Sequence, residues 1–195
     1  ATLLHVAEVK DGLKTKLIGR TLHSFRELTS TNDVAKELAR MGAKEGTVIV
    51  AETQTCGKGR LNREWISPRG GLWFSIIMRP KVSPRDAPKL TFMMSVAVAK
   101  TLNKLFDLKA EIKWPNDVLV KGKKVCGILT ETNTKGESLN FAVVGVGINA
   151  NFNLQAFPTN LRDSSTTLQE ELNKEIDCEA FLRSLLEETE HYYKM

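Results

Sequence analysis

The sequence has few cysteines and no long apolar run, and these absences exclude several classes of protein. Its 3 cysteines among 195 residues are Cys56, Cys126 and Cys178, which are far apart and lack C-x-x-C spacing. This excludes a disulfide framework and a cysteine zinc site, and it favours a reducing compartment. The longest apolar stretch, at 90–99, is too short and too interrupted to cross a bilayer, and no signal sequence opens the chain. We therefore predict a soluble cytoplasmic protein.

Low-complexity tracts are also missing, and the composition is that of an ordinary globular domain. Hydrophobic residues make up 42% of the chain and charged residues 26%, which excludes disordered, collagen-like and coiled-coil chains. The length suits one domain with one core better than two domains. The net charge of +5 points to an anionic ligand or partner, without distinguishing a nucleotide from a nucleic acid.

Hydrophobic periodicity predicts an α+β domain with a mixed, largely antiparallel sheet flanked by helices. Polar residues with capping spacing open the predicted helices, and β-branched or aromatic runs mark the strands. Short glycine-bearing turns in the second half of the chain favour antiparallel neighbours. The predicted helices begin near 31, 83, 166 and 177, and the predicted strands cover 47–51, 72–78, 112–114, 118–120, 125–130 and 141–148.

Two glycine-containing segments superficially match phosphate-binding motifs, and each lacks a required part. Gly57-Lys58 is not a P-loop, because Glu52 stands where glycine is needed and Gly59 where serine or threonine is needed. The segment 145–150 satisfies G-x-G-x-x-A after a strand, but the residues that follow predict no helix on which a pyrophosphate would sit. A P-loop and a Rossmann site are therefore both disfavoured.

Three polar clusters remain as candidate binding residues. The segment 54–63 combines three cations with two glycines, which suits binding of a polyphosphate or a carboxylate. The second cluster is the segment 113–117 with Lys124 beyond it, and the third is the segment 30–32 at a helix start. Each cluster taken alone also has a purely structural interpretation. The first could be a solvated loop, the second a Pro-Asn turn and the third a simple helix cap.

Five segments, taken together and in order, resemble the motif set of the biotin-protein ligases. Because their spacing is also family-like, the set is far more specific than any single motif, and the match covers about residues 13–193. The segments are Thr29-Ser30-Thr31-Asn32, Gln54 to Trp65, Lys113-Trp114-Pro115-Asn116-Asp117, Lys124-Val125-Cys126-Gly127-Ile128-Leu129 and Gly145-Val146-Gly147-Ile148-Asn149.

The resemblance implies a catalytic fold related to class II aminoacyl-tRNA synthetases and a reaction in two steps. Biotin and ATP, with Mg²⁺, give biotinyl-5'-AMP and pyrophosphate. A lysine of a biotin carboxyl carrier domain of a carboxylase then attacks the adenylate to form an amide. Members of the family often pair through their sheets, which implies a homodimer, although the sequence leaves the oligomeric state open.

By the same resemblance, individual residues take roles in catalysis and binding. The expected catalytic residues are Lys124, Arg60 and Asp117, and Asp117 is also the candidate metal ligand. The expected biotin-binding residues are Ser30, Thr31, Asn32, Gln54, Lys58, Gly59, Arg60, Lys124, Gly127 and Leu129. The expected nucleotide-binding residues are Lys58, Arg60, Arg63, Trp65, Asn116, Lys124, Ile148 and Asn149, with Trp65 stacking near the adenine.

The sequence departs from the family pattern at two loop positions and at both ends. Lys58 stands where arginine is usual and lacks its planar fork, and Asn62 replaces a customary glycine. Residues 1–20 are predicted to be a lead-in too short for a helix-turn-helix domain. Residues 21–195 are predicted to be the catalytic domain without the usual C-terminal β-barrel. We therefore do not expect this chain alone to bind DNA.

Two other functions fit part of the sequence. A lipoate or octanoate ligase or transferase has a related catalytic domain, and Cys56 is then a candidate acyl-accepting nucleophile, but no histidine lies near it in sequence to activate it. A nucleic-acid-binding module would explain the pI of 9.1. The cations, however, cluster in one loop instead of forming a long stripe, which disfavours that function.

Overall fold

The computed structural model describes residues 4–195, which form seven β-strands and six α-helices. The strands are β1 (Leu22–Leu28), β2 (Val48–Gln54), β3 (Leu72–Met78), β4 (Glu111–Lys113), β5 (Asp117–Val120), β6 (Lys123–Lys135) and β7 (Ser138–Ile148). The helices are α1 (Val6–Lys10), α2 (Thr31–Arg40), α3 (Ala87–Phe106), α4 (Thr159–Arg162), α5 (Leu168–Leu172) and α6 (Cys178–Tyr193). Within the described range, no helix combines the length and the apolar character that a bilayer-spanning segment needs.

The strands form one sheet in the order β1-β2-β3-β7-β6-β5-β4. β1 and β2 are parallel, because α2 crosses over between them, and the other neighbouring pairs are antiparallel. The β5-β6 and β6-β7 hairpins turn at Gly122 and Gly136, whose φ angles of +76° and +63° lie in the left-handed region that glycine adopts without steric cost. The structure confirms the predicted mixed, largely antiparallel sheet flanked by helices.

Helices pack on both faces of the sheet. On one face, α3 and α6 bury the main core, in which Met94, Leu102 and Leu185 pack with the inward side chains of the strands. On the other face, α2 places Ala35 and Ala39 in a smaller cluster with residues of β2, β3 and β7. With 10 residues, α2 is about 15 Å long, and a groove on its face of the sheet begins beside its first residues.

The residues before β1 are held against α6 by hydrogen bonds to one carboxylate. Glu190 accepts from the backbone N–H groups of Lys16, Leu17 and Ile18 at 2.8, 2.7 and 3.0 Å. Burial alone raises the pKa of this carboxyl, but the hydrogen bonds outweigh burial and hold the pKa of Glu190 below its ordinary value. The segment before β1 therefore packs on the last helix, and its description as a separate lead-in stays a prediction.

Several elements differ from the sequence prediction. The sequence pattern predicts neither α1 nor β1, because α1 has only 5 residues and β1 exposes most of its side chains at the sheet edge. β6 and β7 pair beyond the predicted strands, in a polar ribbon that shows no apolar alternation. α6 has 16 residues where a short helix is predicted, because buried residues continue at helical spacing to its end.

Candidate active site

The groove on the α2 face exists because glycines replace side chains there. Gly127 of β6 pairs with Gly147 of β7, and Gly145 lies two residues earlier on β7. A Cβ atom on Gly145 would collide with the Asn32 side chain, and one on Gly127 or Gly147 would collide with the Trp65 indole. The G-x-G sequence of β7 therefore makes room for two side chains, in a strand and not in a nucleotide-binding loop.

The groove brings together residues from all five sequence segments. The predicted site residues that line it are Ser30, Thr31, Asn32, Gln54, Lys58, Gly59, Arg60, Trp65, Asn116, Lys124, Gly127 and Leu129. Ile128, Gly145, Val146 and Gly147 also line it. These four belong to the same segments but are not among the predicted site residues, because the pattern does not show which backbone positions face the groove.

The other predicted site residues lie outside the groove lining. Arg63 is exposed on the loop, and Ile148 is fully buried in the main core on the opposite face. Asn149 is 1% exposed, and its Nδ2 donates to backbone carbonyl oxygens, that of Lys124 included. Asp117 lies beside the Lys124 ammonium. Ile148 and Asn149 therefore do not present their side chains to this groove.

The start of α2 forms a polar wall of the groove. Ser30 is the N-cap residue, and its Oγ accepts from the backbone N–H of Asp33, which is the capping role that the sequence leaves open. The Thr31 N–H donates to Gln54 Oε1 at 2.8 Å, and Gln54 Nε2 donates to Ser67 Oγ at 2.8 Å. These bonds hold the wall in place before any ligand binds.

Two residues behind this wall, Ser75 and Glu131, are not among the predicted site residues. Asn32 Nδ2 donates to Glu131 Oε1 at 3.0 Å and to the Leu129 carbonyl oxygen at 3.3 Å. The Ser75 hydroxyl lies 2.6 Å from Asn32 Oδ1 and 2.7 Å from Thr31 Oγ1. Ser75 carries a sequence signal, since it is the one polar residue of the apolar strand β3. Glu131 carries none, because it lies in the polar part of β6.

A β-bulge places Lys124 in the groove. The register between β5 and β6 shifts so that an extra residue of β6 is left unpaired, which turns Lys124 onto the face of Gly127. The Lys124 Nζ lies 3.0 Å from Asp117 Oδ1 and 5.0 Å from the centre of the Trp65 ring. The ammonium therefore reaches the groove with a counter-ion already in place.

Asp117, the predicted metal ligand, is a poor fit to a magnesium ion. Its Oδ1 is paired with the Lys124 ammonium, and residues 4–195 hold no cluster of three or more histidine, cysteine, aspartate or glutamate side chains suited to a metal ion. Mg²⁺ in nucleotide enzymes is held by one or two carboxylates together with substrate phosphates. A carboxylate with an ammonium 3.0 Å away is a poor ligand. The residues present therefore do not fit a resident metal.

The loop between β2 and β3 is fastened to both sides of the groove. Lys58 Nζ lies 2.7 Å from Asp33 Oδ1 on α2, and Arg60 Nη1 donates to Asn116 Oδ1 at 3.3 Å. Asn62 has a φ angle of +58°, in the left-handed region that asparagine tolerates better than most residues. That conformation accounts for an asparagine where the family resemblance leads us to expect glycine.

The Trp65 indole fills much of the groove. It lies over the sheet glycines and edge-to-face with Trp73, with 6.4 Å between the ring centroids. The cavity left beside it has a volume of 60 Å³, whereas sites for drug-sized ligands measure roughly 300 to 1,000 Å³. Its Nε1 is buried and has no hydrogen-bond acceptor within the described chain, which costs free energy. The indole therefore occupies space that a ligand of that size would need.

Known proteins similar to this chain identify its family. A model of the biotin/lipoate A/B protein ligase family matches residues 24–149. The bifunctional ligase/repressor BirA of Bacillus subtilis is 39% identical over 184 residues, which cover 94% of this chain and 57% of that protein. A biotin protein ligase of Aquifex aeolicus, solved in complex with biotin and ATP, has a TM-score of 0.74 and 32% identity over 90% of this chain and 71% of that one. The chain belongs to the biotin/lipoate A/B protein ligase family.

The matches leave part of each curated relative uncovered. The biotin--[acetyl-CoA-carboxylase] ligase of Paracoccus denitrificans is 37% identical over 122 residues, which cover 62% of this chain and 50% of that protein. The chain thus spans about half the length of the curated relatives that it matches. Residues 24–149 hold every residue that lines the groove, so the part of the chain that forms the groove also carries the family membership.

Proposed function

We propose that the chain is the catalytic domain of a biotin protein ligase. It activates biotin with ATP as biotinyl-5'-AMP and transfers the biotinyl group to a lysine of a biotin carboxyl carrier domain. The observation that carries the proposal is one groove that combines a preformed polar wall, at Thr31 and Gln54, with the Lys124 ammonium. The Aquifex aeolicus relative, solved with biotin and ATP bound, supports it.

The first step joins two anions that repel each other, a carboxylate and a triphosphate. Lys58, Arg60 and Lys124 line the groove and lower this repulsion. We assign to Lys124 the binding of the biotin carboxylate and of the charge that develops on the α-phosphate. A carboxylate oxygen forms the new bond to the α-phosphorus, and pyrophosphate leaves with the electron pair of the broken P–O bond.

The second step transfers the biotinyl group to an amine. The carrier lysine loses a proton to water, and its neutral amine attacks the biotinyl carbonyl carbon. The nitrogen releases a second proton to water as the amide forms, and AMP leaves with the electron pair of the broken C–O bond. Asp117 lies at the edge of the groove, 3.0 Å from Lys124, where its carboxylate is placed to orient an incoming ammonium. Its position favours this role over metal binding.

A lipoate or octanoate ligase is the alternative within the family. The polar wall favours biotin, because a cyclic urea offers N–H donors and a carbonyl acceptor to Thr31 and Gln54. A dithiolane ring or an alkyl chain offers neither, and it would leave the lone pairs that the buried Thr31 hydroxyl presents to the groove without a ligand donor. The wall is therefore better suited to biotin.

Titration calorimetry of the purified chain tests the proposal. We expect biotin to bind, to bind more tightly in the presence of Mg²⁺-ATP, and to release pyrophosphate. Lipoate and octanoate, titrated under the same conditions, are expected to bind at least about tenfold more weakly, because they leave polar groups of the site without a partner. Binding of lipoate or octanoate without binding of biotin would assign the chain to the other branch of the family.

Further parts of the proposal concern the setting of the reaction. ATP enters as its Mg²⁺ complex, because Asp117 is already paired with Lys124. A cytoplasmic location and a carboxylase carrier follow from the proposed activity. Pairing of two chains stays a prediction of the sequence.

A further inference from the structure

Five side chains form a chain of hydrogen bonds that begins at an ion pair and ends at the groove. Lys36 Nζ lies 2.9 Å from Glu131 Oε2, and Glu131 Oε1 accepts from Asn32 Nδ2 at 3.0 Å. Asn32 Oδ1 lies 2.6 Å from the Ser75 hydroxyl oxygen, which lies 2.7 Å from the Thr31 hydroxyl oxygen. The last three residues are buried, so water competes little for their bonds.

The available hydrogens fix the direction of each bond. A carboxylate only accepts, so the Asn32 amide turns its NH₂ group toward Glu131 and its oxygen toward Ser75. An amide oxygen cannot donate, so Ser75 gives its single hydrogen to Asn32. The Thr31 hydroxyl must then donate to Ser75, which leaves its lone pairs for the groove. Thr31 Oγ1 is therefore held as a hydrogen-bond acceptor.

The Glu131 carboxylate, which Lys36 holds in an ion pair, keeps this series of hydrogen bonds from reversing. Burial alone lowers the pKa of Lys36, but its bonds to the carboxylates of Glu131 and Asp33 outweigh burial and raise that pKa above its usual value. The side chains of Lys36 and Glu131 are 20% and 29% exposed, so water screens the pair only in part. With an acceptor-only carboxylate at 131, Asn32 has one orientation.

We propose that Lys36, Glu131 and Ser75 are positioning residues that set the ligand specificity of the groove. By holding Thr31 as an acceptor, they select a ligand that presents an N–H donor there, as a cyclic urea does. They disfavour a ligand that presents a lone pair at the same point. This role rests on the proposed biotin ligase function. It adds that residues behind the groove decide whether Thr31 donates or accepts a hydrogen bond.

The test uses biotin and its two carbamate analogues, in each of which one ureido N–H is replaced by oxygen. We expect the wild-type chain to bind one of the analogues at least about tenfold more weakly than biotin, because that analogue sets a lone pair against Thr31. Ser75→Ala frees the Thr31 hydrogen to turn toward the groove. Titration calorimetry gives the ratio of the dissociation constant of that analogue to the dissociation constant of biotin. We expect this ratio to fall about tenfold in the variant.

Glu131→Gln gives a sharper readout because we expect it to reverse the direction of the hydrogen bonds between residue 131 and Thr31. The Lys36 ammonium attracts the oxygen of the new amide, so the NH₂ group of the glutamine faces Asn32. Asn32 then flips and gives up its bond to the Leu129 carbonyl oxygen, which at 3.3 Å is the longer of the two bonds that its Nδ2 donates. Ser75 donates to Thr31, and Thr31 becomes a donor toward the groove. We expect the preference for biotin to be lost. In Lys36→Met combined with Glu131→Gln, the glutamine is free to turn its oxygen to Asn32, and we expect the wild-type preference to return.

Ser95→Ala is the matched control, because it removes another fully buried serine hydroxyl, in α3, and should leave the ratio unchanged. If the wild-type chain binds biotin and the ratio is the same in Ser75→Ala and Glu131→Gln, the positioning role is wrong and the biotin function stands. If the double variant does not regain the preference, the role of Lys36 is wrong. If the wild-type chain binds no biotin, the proposed function fails and this role fails with it.

Discussion

At the scale of single residues, the chemistry that we assign to the groove depends most on Lys124. Its ammonium has a carboxylate 3.0 Å away and an aromatic ring centre 5.0 Å away. The counter-ion offsets the cost of holding a charge in a partly buried place. In the proposed reaction, the substrate carboxylate competes with Asp117 for the same ammonium. The resting ion pair is therefore suited to exchange, unlike a fully buried structural salt bridge.

Replacement of Lys124 tests this assignment. We expect Lys124→Ala to lower biotin-dependent release of pyrophosphate by roughly 10²- to 10³-fold, the usual effect of removing one group that stabilises developing negative charge. Lys123→Ala is the control, because Lys123 is the neighbouring cation and is exposed. A rate for Lys124→Ala within about threefold of the control would show that the ammonium does not take part.

At the scale of structural elements, the loop between β2 and β3 determines access to the groove. Its Trp65 side chain lies where the sheet glycines leave room, while Lys58 and Arg60 fasten it to α2 and to Asn116. These are an exposed ion pair and a long hydrogen bond, and contacts of that kind contribute about 1 kcal/mol or less each. We therefore expect the loop to open and to close again over a ligand that gives the indole a surface to pack on.

Hydrogen exchange measures this closure. We expect biotin with Mg²⁺-ATP to slow amide exchange at 57–65 by at least about tenfold, because a bound ligand stabilises the closed loop and excludes water. The turn at 136–138 is distant along the sheet and exposed, and it serves as the internal control. Equal exchange at 57–65 with and without ligand would contradict loop closure.

At the scale of the whole molecule, one carboxylate on the last helix holds the segment before β1. Glu190 accepts three backbone hydrogen bonds from residues 16–18 and also contacts Lys194 at 3.2 Å. Its side chain is 9% exposed, so water cannot easily replace these bonds. The contact joins parts of the chain that are more than 170 residues apart, and it acts on the stability of the domain and not on the groove.

Glu190→Gln tests this contribution. We expect the free energy of unfolding at neutral pH to fall by about 1 to 2 kcal/mol, because hydrogen bonds to a neutral acceptor are weaker than those to a carboxylate. Urea unfolding measures the effect, and Glu137→Gln, at an exposed turn position, is the control.

The difference in the free energy of unfolding between the wild-type chain and Glu190→Gln depends on pH with a definite sign. Folding lowers the pKa of Glu190 below its ordinary value of 4.5. The stabilisation is therefore present above that pH and is lost as the pH falls through the lower pKa of the folded state. We expect the difference between the wild-type chain and Glu190→Gln to shrink as the pH falls below 4.5. A difference that stays constant through this range would contradict the role of the charge.

The sequence by itself determined the fold class and most of the residues that line the groove. Strand β3 has the predicted limits, and the start of α2 is at the predicted Thr31, because apolar runs and capping residues act locally. The five segments contain all the groove-lining residues, since motif order and spacing are properties of the chain itself. The predicted class therefore required no knowledge of which segments meet.

Only the tertiary structure decided which side chains face the groove and what holds them. Strand pairing brings Gly127 beside Gly147, and the bulge in β6 turns Lys124 toward them. The same pairing turns Ile148 into the main core, and it joins Glu131 to the start of α2 from 99 residues away. The physical reason is that the face of the sheet on which a side chain lies depends on the register of its strand. One extra residue in a strand moves every later side chain to the other face.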